Sequence, residues 1–226
     1  MNDRKHWLAV FVYAAAMAWM EAAAVLYLRT LVDRVQPYQP NPFPVAGRMA
    51  LIEVAREAAT LVMLLTVGFL AGRSGRSRLG YAAFAFGVWD VFYYVFLRSM
   101  CGWPHSVMDW DILFLIPLPW WGPVLAPVLI SLLLILWGTL ACQFEQAPTP
   151  VLPRIAASAL GAAGVLLALQ VFMADTIAAF HQGTDAIRSV LPGSFNWPLF
   201  CGALSLMAVP ALHLFWRSRS VQRKIP

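Results

Sequence analysis

Charged residues are scarce in this chain of 226 residues. Lysine, arginine, aspartate and glutamate together make up 12% of it, whereas hydrophobic residues make up 61%. Soluble domains carry roughly 25% charged residues, and too much of a small domain's surface faces water for so many apolar side chains to be hidden. The composition therefore excludes an ordinary soluble fold and indicates a chain surrounded by lipid.

Lysine and cysteine are also rare. The two lysines, Lys5 and Lys224, lie at the chain ends, so no apolar run contains one and a retinal-type Schiff base is excluded. The three cysteines, Cys101, Cys142 and Cys201, have no metal-type spacing. A disulfide between Cys101 and Cys201 would join the third and sixth apolar runs, and the sequence leaves open whether it forms.

Long apolar runs are what the sequence has in abundance. Each approaches the roughly 20 residues that a helix needs to cross the hydrocarbon layer, and none alternates as a barrel strand would. Six such runs predict an all-α, polytopic membrane helix bundle that forms a single domain over residues 1–226. The predicted spans are residues 7–31, 51–71, 81–100, 124–142, 155–177 and 198–216.

Arginine and lysine are distributed unevenly among the predicted loops. An even number of spans puts both chain ends on one side, and the positive-inside rule places them in the cytoplasm of a cell-membrane protein. We interpret the net charge of +5 as a consequence of this topology and not as a sign of nucleic-acid binding. The basic residues on the predicted inner side are Arg4, Lys5, Arg73, Arg76, Arg78, Arg154, Arg217, Arg219, Arg223 and Lys224, against Arg34, Arg48 and Arg188 outside.

Ionisable side chains inside the predicted spans are the most informative feature. At 1.5 Å per residue, Glu21 and Asp90 lie about 15 Å from the outer ends of their helices, near the middle of the membrane. A carboxylate there costs about 3 kcal/mol unless it is neutralised, paired or hydrated, so we expect both to share a cavity or a bonded network. Spacings of i, i+3, i+4 and i+7 put four further polar residues on one face of the second span: Glu53, Arg56, Glu57 and Thr60.

Two interpretations of this cluster stay open. In one, Arg56 neutralises Glu21 or Asp90 and holds three helices in register, since buried ion pairs often have only this role. In the other, the cluster binds a substrate, ion or proton, the usual reason for ionisable groups in a membrane. The predicted catalytic residues are Glu57 and Asp90, supported by Glu21. The predicted substrate-binding residues are Arg56, Arg29, Arg98, Tyr93, Tyr94, Asp109, Asp111 and Trp110.

A segment rich in proline and tryptophan precedes the fourth span, between Trp103 and Pro127. Proline cannot continue a regular helix, and non-helical backbone at membrane depth must be buried in protein or line a cavity. We therefore predict either a re-entrant lid over the carboxylates or an interfacial loop that only anchors the protein.

Candidate ligands for a metal are few. His105 and His181, both on the predicted outer side, are candidates together with the neighbouring carboxylates, but their spacing matches no metal motif. His6 and His213 would need two facing helices to hold a haem. The sequence identifies no cofactor.

Three functions stay open, because motifs of metalloproteases, phosphate-loop and dinucleotide-binding proteins, kinases and serine hydrolases are all missing. The first is a small enzyme acting on a lipid-linked or amphiphilic substrate at an outer-facing carboxylate and arginine site. The second is a non-catalytic subunit or assembly factor that docks on another membrane protein. The third is a transporter of a small solute or cation, with Glu21 and Asp90 as coupling groups; the nearly charge-free inner halves of the spans disfavour it.

Overall fold

The computed structural model of the chain describes residues 2–40, 47–143 and 151–222. Six helices in these ranges are long and apolar enough to cross a membrane, which confirms the predicted all-α bundle. The six are α1 (Asn2–Leu31), α2 (Arg48–Ala71), α3 (Gly75–Cys101), α4 (Leu125–Gln143), α5 (Val151–Ala179) and α7 (Trp197–Gln222). A 3-10 turn (Phe180–Gln182) and the short helix α6 (Thr184–Ser189) connect α5 to α7. Residues 144–150, in the connection between the fourth and fifth predicted spans, lie outside the described residues.

Helix α3 begins earlier than its apolar run. The side chain of Ser74 accepts a hydrogen bond from the backbone N–H of Ser77, and the hydroxyl of Ser77 accepts one from the N–H of Ser74. This capping box starts the helix at Gly75, before the predicted Tyr81. Most of the basic segment after α2, predicted as a loop, therefore forms the first turns of α3.

Helix α3 is the centre of the bundle. Helices α1, α2 and α4 all pack against it, while α5 pairs with α7, and α7 contacts α4. Close approach depends on glycine: a Cβ on Gly87 would lie 2.5 Å from the backbone oxygen of Ser131 on α4. A Cβ on Gly68 of α2 would likewise lie 2.5 Å from the backbone nitrogen of Ala82. Such small residues are how helices approach closely in a membrane, where the hydrophobic effect does not drive their association.

Large apolar side chains cover the outside of the bundle. Met20 is 69% exposed, Leu70 76% and Leu166 68%. Soluble monomers rarely leave large contiguous apolar surfaces in water, whereas lipid tails cover them without penalty. The surface thus agrees with the composition, and both indicate a multi-pass membrane protein.

The segment between α3 and α4 forms a short antiparallel hairpin. Its strands are β1 (Trp110–Ile112) and β2 (Trp121–Pro123). We call residues 110–123 the hairpin, and we call the end of the bundle where α1 ends and α2 begins the hairpin end. Gly122 lies so close to Phe172 of α5 that a Cβ would stand 2.8 Å from the ring. The sequence predicted non-helical backbone here but not the paired strands.

The tip of the hairpin lies inside the bundle. The N–H of Leu115 donates to Oε2 of Glu57 at 2.8 Å, about 14 Å along α2 from its first residue. On the other side, the hydroxyl of Thr176 on α5 donates to the carbonyl of Pro119 at 2.8 Å. Backbone at this depth needs internal partners, and Pro117 and Pro119 reduce that need because proline has no N–H. The geometry favours a re-entrant lid over an interfacial loop.

None of the three cysteines, all of which lie in the described ranges, forms a disulfide. Cys142 is buried, Cys201 is exposed on α7, and the thiol of Cys101 donates to the carbonyl of Leu97 at 3.2 Å. The disulfide between Cys101 and Cys201 that the sequence left open is not present.

Candidate functional site

A cavity of about 150 Å³ lies at the hairpin end, enclosed by α1, α2, α3 and the hairpin tip. We call it the carboxylate cavity, because four acidic side chains stand in its mostly apolar wall: Glu21, Glu53, Glu57 and Asp90. Helices α1 and α2 pack mainly on α3 and only sparsely on each other, which leaves this space between them. Drug-sized ligands need roughly 300 Å³ or more, so the volume suits a small molecule or a polar head group.

Arg56 organises one wall of the cavity. Its Nε and Nη2 donate to the two carboxylate oxygens of Glu53 at 3.0 and 2.6 Å, and its Nη1 donates to Glu21 of α1. The second oxygen of Glu21 accepts a hydrogen bond from the hydroxyl of Thr60 at 3.1 Å. The polar face predicted on α2 is therefore assembled as expected. Two partners were predicted for Arg56. It forms an ion pair with Glu21 and, in the described ranges, none with Asp90.

Arg29 is paired at the base of the hairpin. Its Nη2 donates to Oδ1 of Asp111 at 2.7 Å, and its guanidinium lies 4.5 Å from the centre of the Trp103 ring. Burial raises the pKa of Asp111, and Arg29, the N–H of Ile112 and the hydroxyl of Tyr94 oppose that rise. Arg29 also lines the cavity, but its shortest bond ties α1 to the hairpin.

Glu57 and Asp90 differ from the other acidic residues of the cavity. Within the described ranges neither has a basic group at salt-bridge distance, and each is only 7% exposed. Glu57 uses Oε2 to hold Leu115, and Asp90 uses Oδ2 to accept a hydrogen bond from the hydroxyl of Ser131 at 2.8 Å. The second oxygen of each carboxyl has no hydrogen-bond partner in the part of the chain that the structure describes. These two oxygens are the acidic groups available to a molecule in the cavity.

Trp89 adds a donor that the sequence did not reveal. It lines the cavity and is 5% exposed, and its indole Nε1 is buried without a partner among residues 2–40, 47–143 and 151–222. An unsatisfied buried donor costs about 1–3 kcal/mol, which an oxygen atom of a ligand would relieve. Tyr93 stacks on this ring with centroids 6.3 Å apart, and Tyr94 lines the same wall. Nothing in an apolar run marks a tryptophan, or Ser131, as part of a site.

Four predicted substrate-binding residues do not line the cavity: Asp111, which Arg29 holds as described above, and Arg98, Asp109 and Trp110. Arg98 donates to backbone carbonyls of the loop that follows α3. Asp109 accepts a hydrogen bond from the backbone N–H of His105 at 2.7 Å, and Trp110 stacks on Tyr38 with centroids 5.8 Å apart. Each is held by a local contact, so these side chains shape the hairpin end and do not reach the carboxyls.

The predicted metal candidates stay apart. The Nδ1 of His105 lies 3.5 Å from Asp109 at an exposed position, and His181 is exposed after α5. In the described ranges no three histidine, cysteine, aspartate or glutamate side chains are close enough to hold a metal ion. The structure therefore does not assemble the two candidate histidines and the neighbouring carboxylates into one metal site within the described ranges.

Comparison with protein-family models, with curated proteins and with solved structures finds no match for this chain. The function is therefore inferred from the cavity. Besides its ion-paired residues, the cavity offers two carboxyls that have no basic partner in the described ranges, an indole donor and two tyrosines. Carboxyls in such a position are suited to general acid–base catalysis on a bound molecule.

Proposed function

We propose that this protein is a membrane enzyme that acts on the polar head group of an amphiphilic or lipid-linked substrate. Glu57 and Asp90 carry this proposal: both line one cavity, and neither has a basic partner in the described ranges, although arginines lie nearby. Carboxyls that serve only to join helices are normally neutralised by such arginines. Ionisable groups kept in a membrane without that role generally have a function.

Glu57 and Asp90 would act as the general acid and base. One oxygen of each is held by a hydrogen bond, from the N–H of Leu115 and from the hydroxyl of Ser131 respectively. Fixing one oxygen orients the other, and catalysis by proton transfer requires such orientation. Glu21 supports the pair indirectly, because both of its oxygens are occupied by Arg56 and Thr60.

The position of the cavity suits a substrate whose chain remains in the lipid. Val25 and Leu28 of α1 and Ala50 of α2 line it where these two helices pack sparsely on each other. A head group would enter between them while its apolar tail stays outside the bundle. Arg29 and Arg56 already bond carboxylates, so we assign them to the walls and not to an anionic head group. The distribution of basic residues along the chain would put this opening on the outer face.

A non-catalytic subunit or assembly factor is the second candidate, and the completed ion pairs favour it. Arg56 joins α2 to Glu21 of α1, and Arg29 joins α1 to Asp111 of the hairpin. These bonds stabilise the fold whether or not any chemistry occurs. Transport is less well supported, because a second cavity, at the opposite end of the bundle, shares no lining residue with the carboxylate cavity.

Native mass spectrometry of protein extracted in a mild detergent tests the proposal. We expect a monomer that retains a discrete amphiphile, and we expect Glu57→Gln and Asp90→Asn to lose it. Asp175→Asn is the matched control, because Asp175 is an exposed carboxylate of α5 that does not line the cavity. A stoichiometric protein partner with no retained small molecule would support the subunit instead.

A further inference from the structure

The second cavity is the larger one and has no role in the function proposed above. Its volume is about 520 Å³, and it lies at the end opposite the hairpin, among α3, α4, α5 and α7. We call it the basal cavity. A protein cavity of about 150 Å³ is enough to bind benzene, so the basal cavity has room for a long stretch of acyl chain.

The wall of the basal cavity is mostly apolar, and part of it faces outward from the bundle. Leu79 of α3 is 57% exposed and Val165 of α5 is 42% exposed, yet both line the cavity. Ala162, with its short side chain at an exposed position of α5, also lines the cavity. The cavity is therefore a lateral recess that lipid tails can enter.

The polar groups of this wall are basic or neutral. Arg76 lies in the first turn of α3 and His213 in the last part of α7, so both stand at the end of the bundle where lipid head groups are located. The Nε2 atom of His213 is buried and has no hydrogen-bond partner among the described residues. Ser158 adds a hydroxyl, and none of the described residues that line the cavity is acidic.

We propose that the basal cavity binds a single anionic phospholipid. Arg76 and His213 hold the phosphate, because guanidinium and imidazole groups donate charge-assisted hydrogen bonds to phosphate oxygens. One acyl chain lies in the recess against Leu133 of α4 and Val165 of α5. The described wall offers no carboxylate to the ammonium group of a zwitterionic lipid, so net negative charge is selected. This site is independent of the enzymatic function proposed for the carboxylate cavity.

Lipid titration of delipidated protein, followed by native mass spectrometry, tests the site. We expect wild type to retain one phosphatidylglycerol and to bind phosphatidylethanolamine about tenfold more weakly. Arg76→Gln should weaken phosphatidylglycerol binding about tenfold through loss of a charge-assisted bond. Arg73→Gln is the matched control and should bind normally, because Arg73 is an exposed arginine of the same end that does not line the cavity.

A second variant tests the recess itself. Ala162→Phe places a ring in the cavity from an exposed position and should abolish retention of the lipid; His213→Gln replaces it as the second variant if the protein does not fold. Equal binding by the Arg76 and Arg73 variants, equal affinity for both lipids, or a dimer without retained lipid would each overturn the proposal. If Arg76→Gln loses the phospholipid but still retains the amphiphile of the carboxylate cavity, the two sites are separate.

Discussion

Asp111, at the base of the hairpin, accepts a 2.7 Å hydrogen bond from Arg29 in the last turn of α1, and their side chains are only 1% and 12% exposed. The two residues lie 82 positions apart in the chain. Because both are almost fully removed from solvent, the pair fixes the hairpin to α1. It thereby also positions the hairpin tip, which closes one side of the carboxylate cavity.

Removing Arg29 should destabilise the protein more than removing an exposed arginine. In Arg29→Met the carboxylate of Asp111 stays buried without its partner, and we expect a loss of about 3 kcal/mol in the free energy of unfolding. The double variant Arg29→Met/Asp111→Leu should recover much of this loss. Arg48→Met, at the exposed first residue of α2, is the control for unfolding in detergent. Equal stability of the Arg29 and Arg48 variants would contradict a stabilising buried ion pair between Arg29 and Asp111.

The same pair gives a pH dependence of known sign. Burial raises the pKa of Asp111, so the folded protein binds its proton more tightly than the unfolded chain does. Arg29 opposes that rise, so its loss should raise the folded-state pKa further. The loss of unfolding free energy in Arg29→Met should therefore be largest at pH values above the folded-state pKa of Asp111 in the variant. It should shrink as the pH falls through that pKa. A stability difference that is constant from neutral pH to about pH 4 would contradict this.

Substitutions of Glu57 should separate its support of the hairpin from its proposed chemistry. Glu57→Gln retains a carbonyl acceptor for the N–H of Leu115, so we expect its unfolding free energy to stay within about 1 kcal/mol of wild type. Glu57→Leu removes the acceptor and should cost about 1–3 kcal/mol. Loss of ligand in both variants, with loss of stability only in the leucine variant, is the expected pattern. Retention of ligand by Glu57→Gln would show that binding does not need the carboxylate of Glu57.

Cysteine labelling tests the position of the hairpin tip. In a background without Cys101, Cys142 and Cys201, a cysteine at Phe114 should be protected from a water-soluble maleimide, because that side chain is 7% exposed. A cysteine at His105, an exposed position in the loop that follows α3, should react. Uniformly fast labelling of single cysteines along residues 112–119 would contradict a lid inserted into the bundle.

The contact between α3 and α4 should not tolerate a methyl group. In Gly87→Ala the new Cβ would meet the backbone oxygen of Ser131, whose hydroxyl bonds Asp90, and we expect a loss of about 1–3 kcal/mol. Gly202→Ala on α7 has open space and should leave stability unchanged or slightly higher. Thermal unfolding of the two variants side by side provides the comparison. Equal stability would mean that the helices are farther apart than described.

Much of this architecture could be predicted from periodicity and hydropathy. Six apolar runs gave six spans, and the spacing of Glu53, Arg56, Glu57 and Thr60 gave the polar face of α2 that the structure contains. These predictions succeed because lipid fixes the length of a span, and because the helix repeat fixes which residues share a face.

The partners across the bundle could not be predicted in this way. The N–H of Leu115 belongs to the backbone, which has no sequence signature, and Ser131 is one hydroxyl in an apolar run. The contact between Arg29 and Asp111 depends on the re-entry of the hairpin, which proline and tryptophan content suggested without fixing its register. Arg98, Asp109 and Trp110 have residue types suited to ligand binding, but local contacts hold them elsewhere.

The most direct test of the central claim is turnover by the purified protein. Wild type in nanodiscs would be incubated with a total membrane lipid extract and the products followed by mass spectrometry, alongside Glu57→Gln, Asp90→Asn and the control Asp175→Asn. We predict that wild type and the control convert one amphiphile at similar rates, while the two cavity variants lose at least about 100-fold in rate, as expected for loss of a general acid or base. The same conversion by all four proteins, or by none of them, would contradict an enzyme built on Glu57 and Asp90.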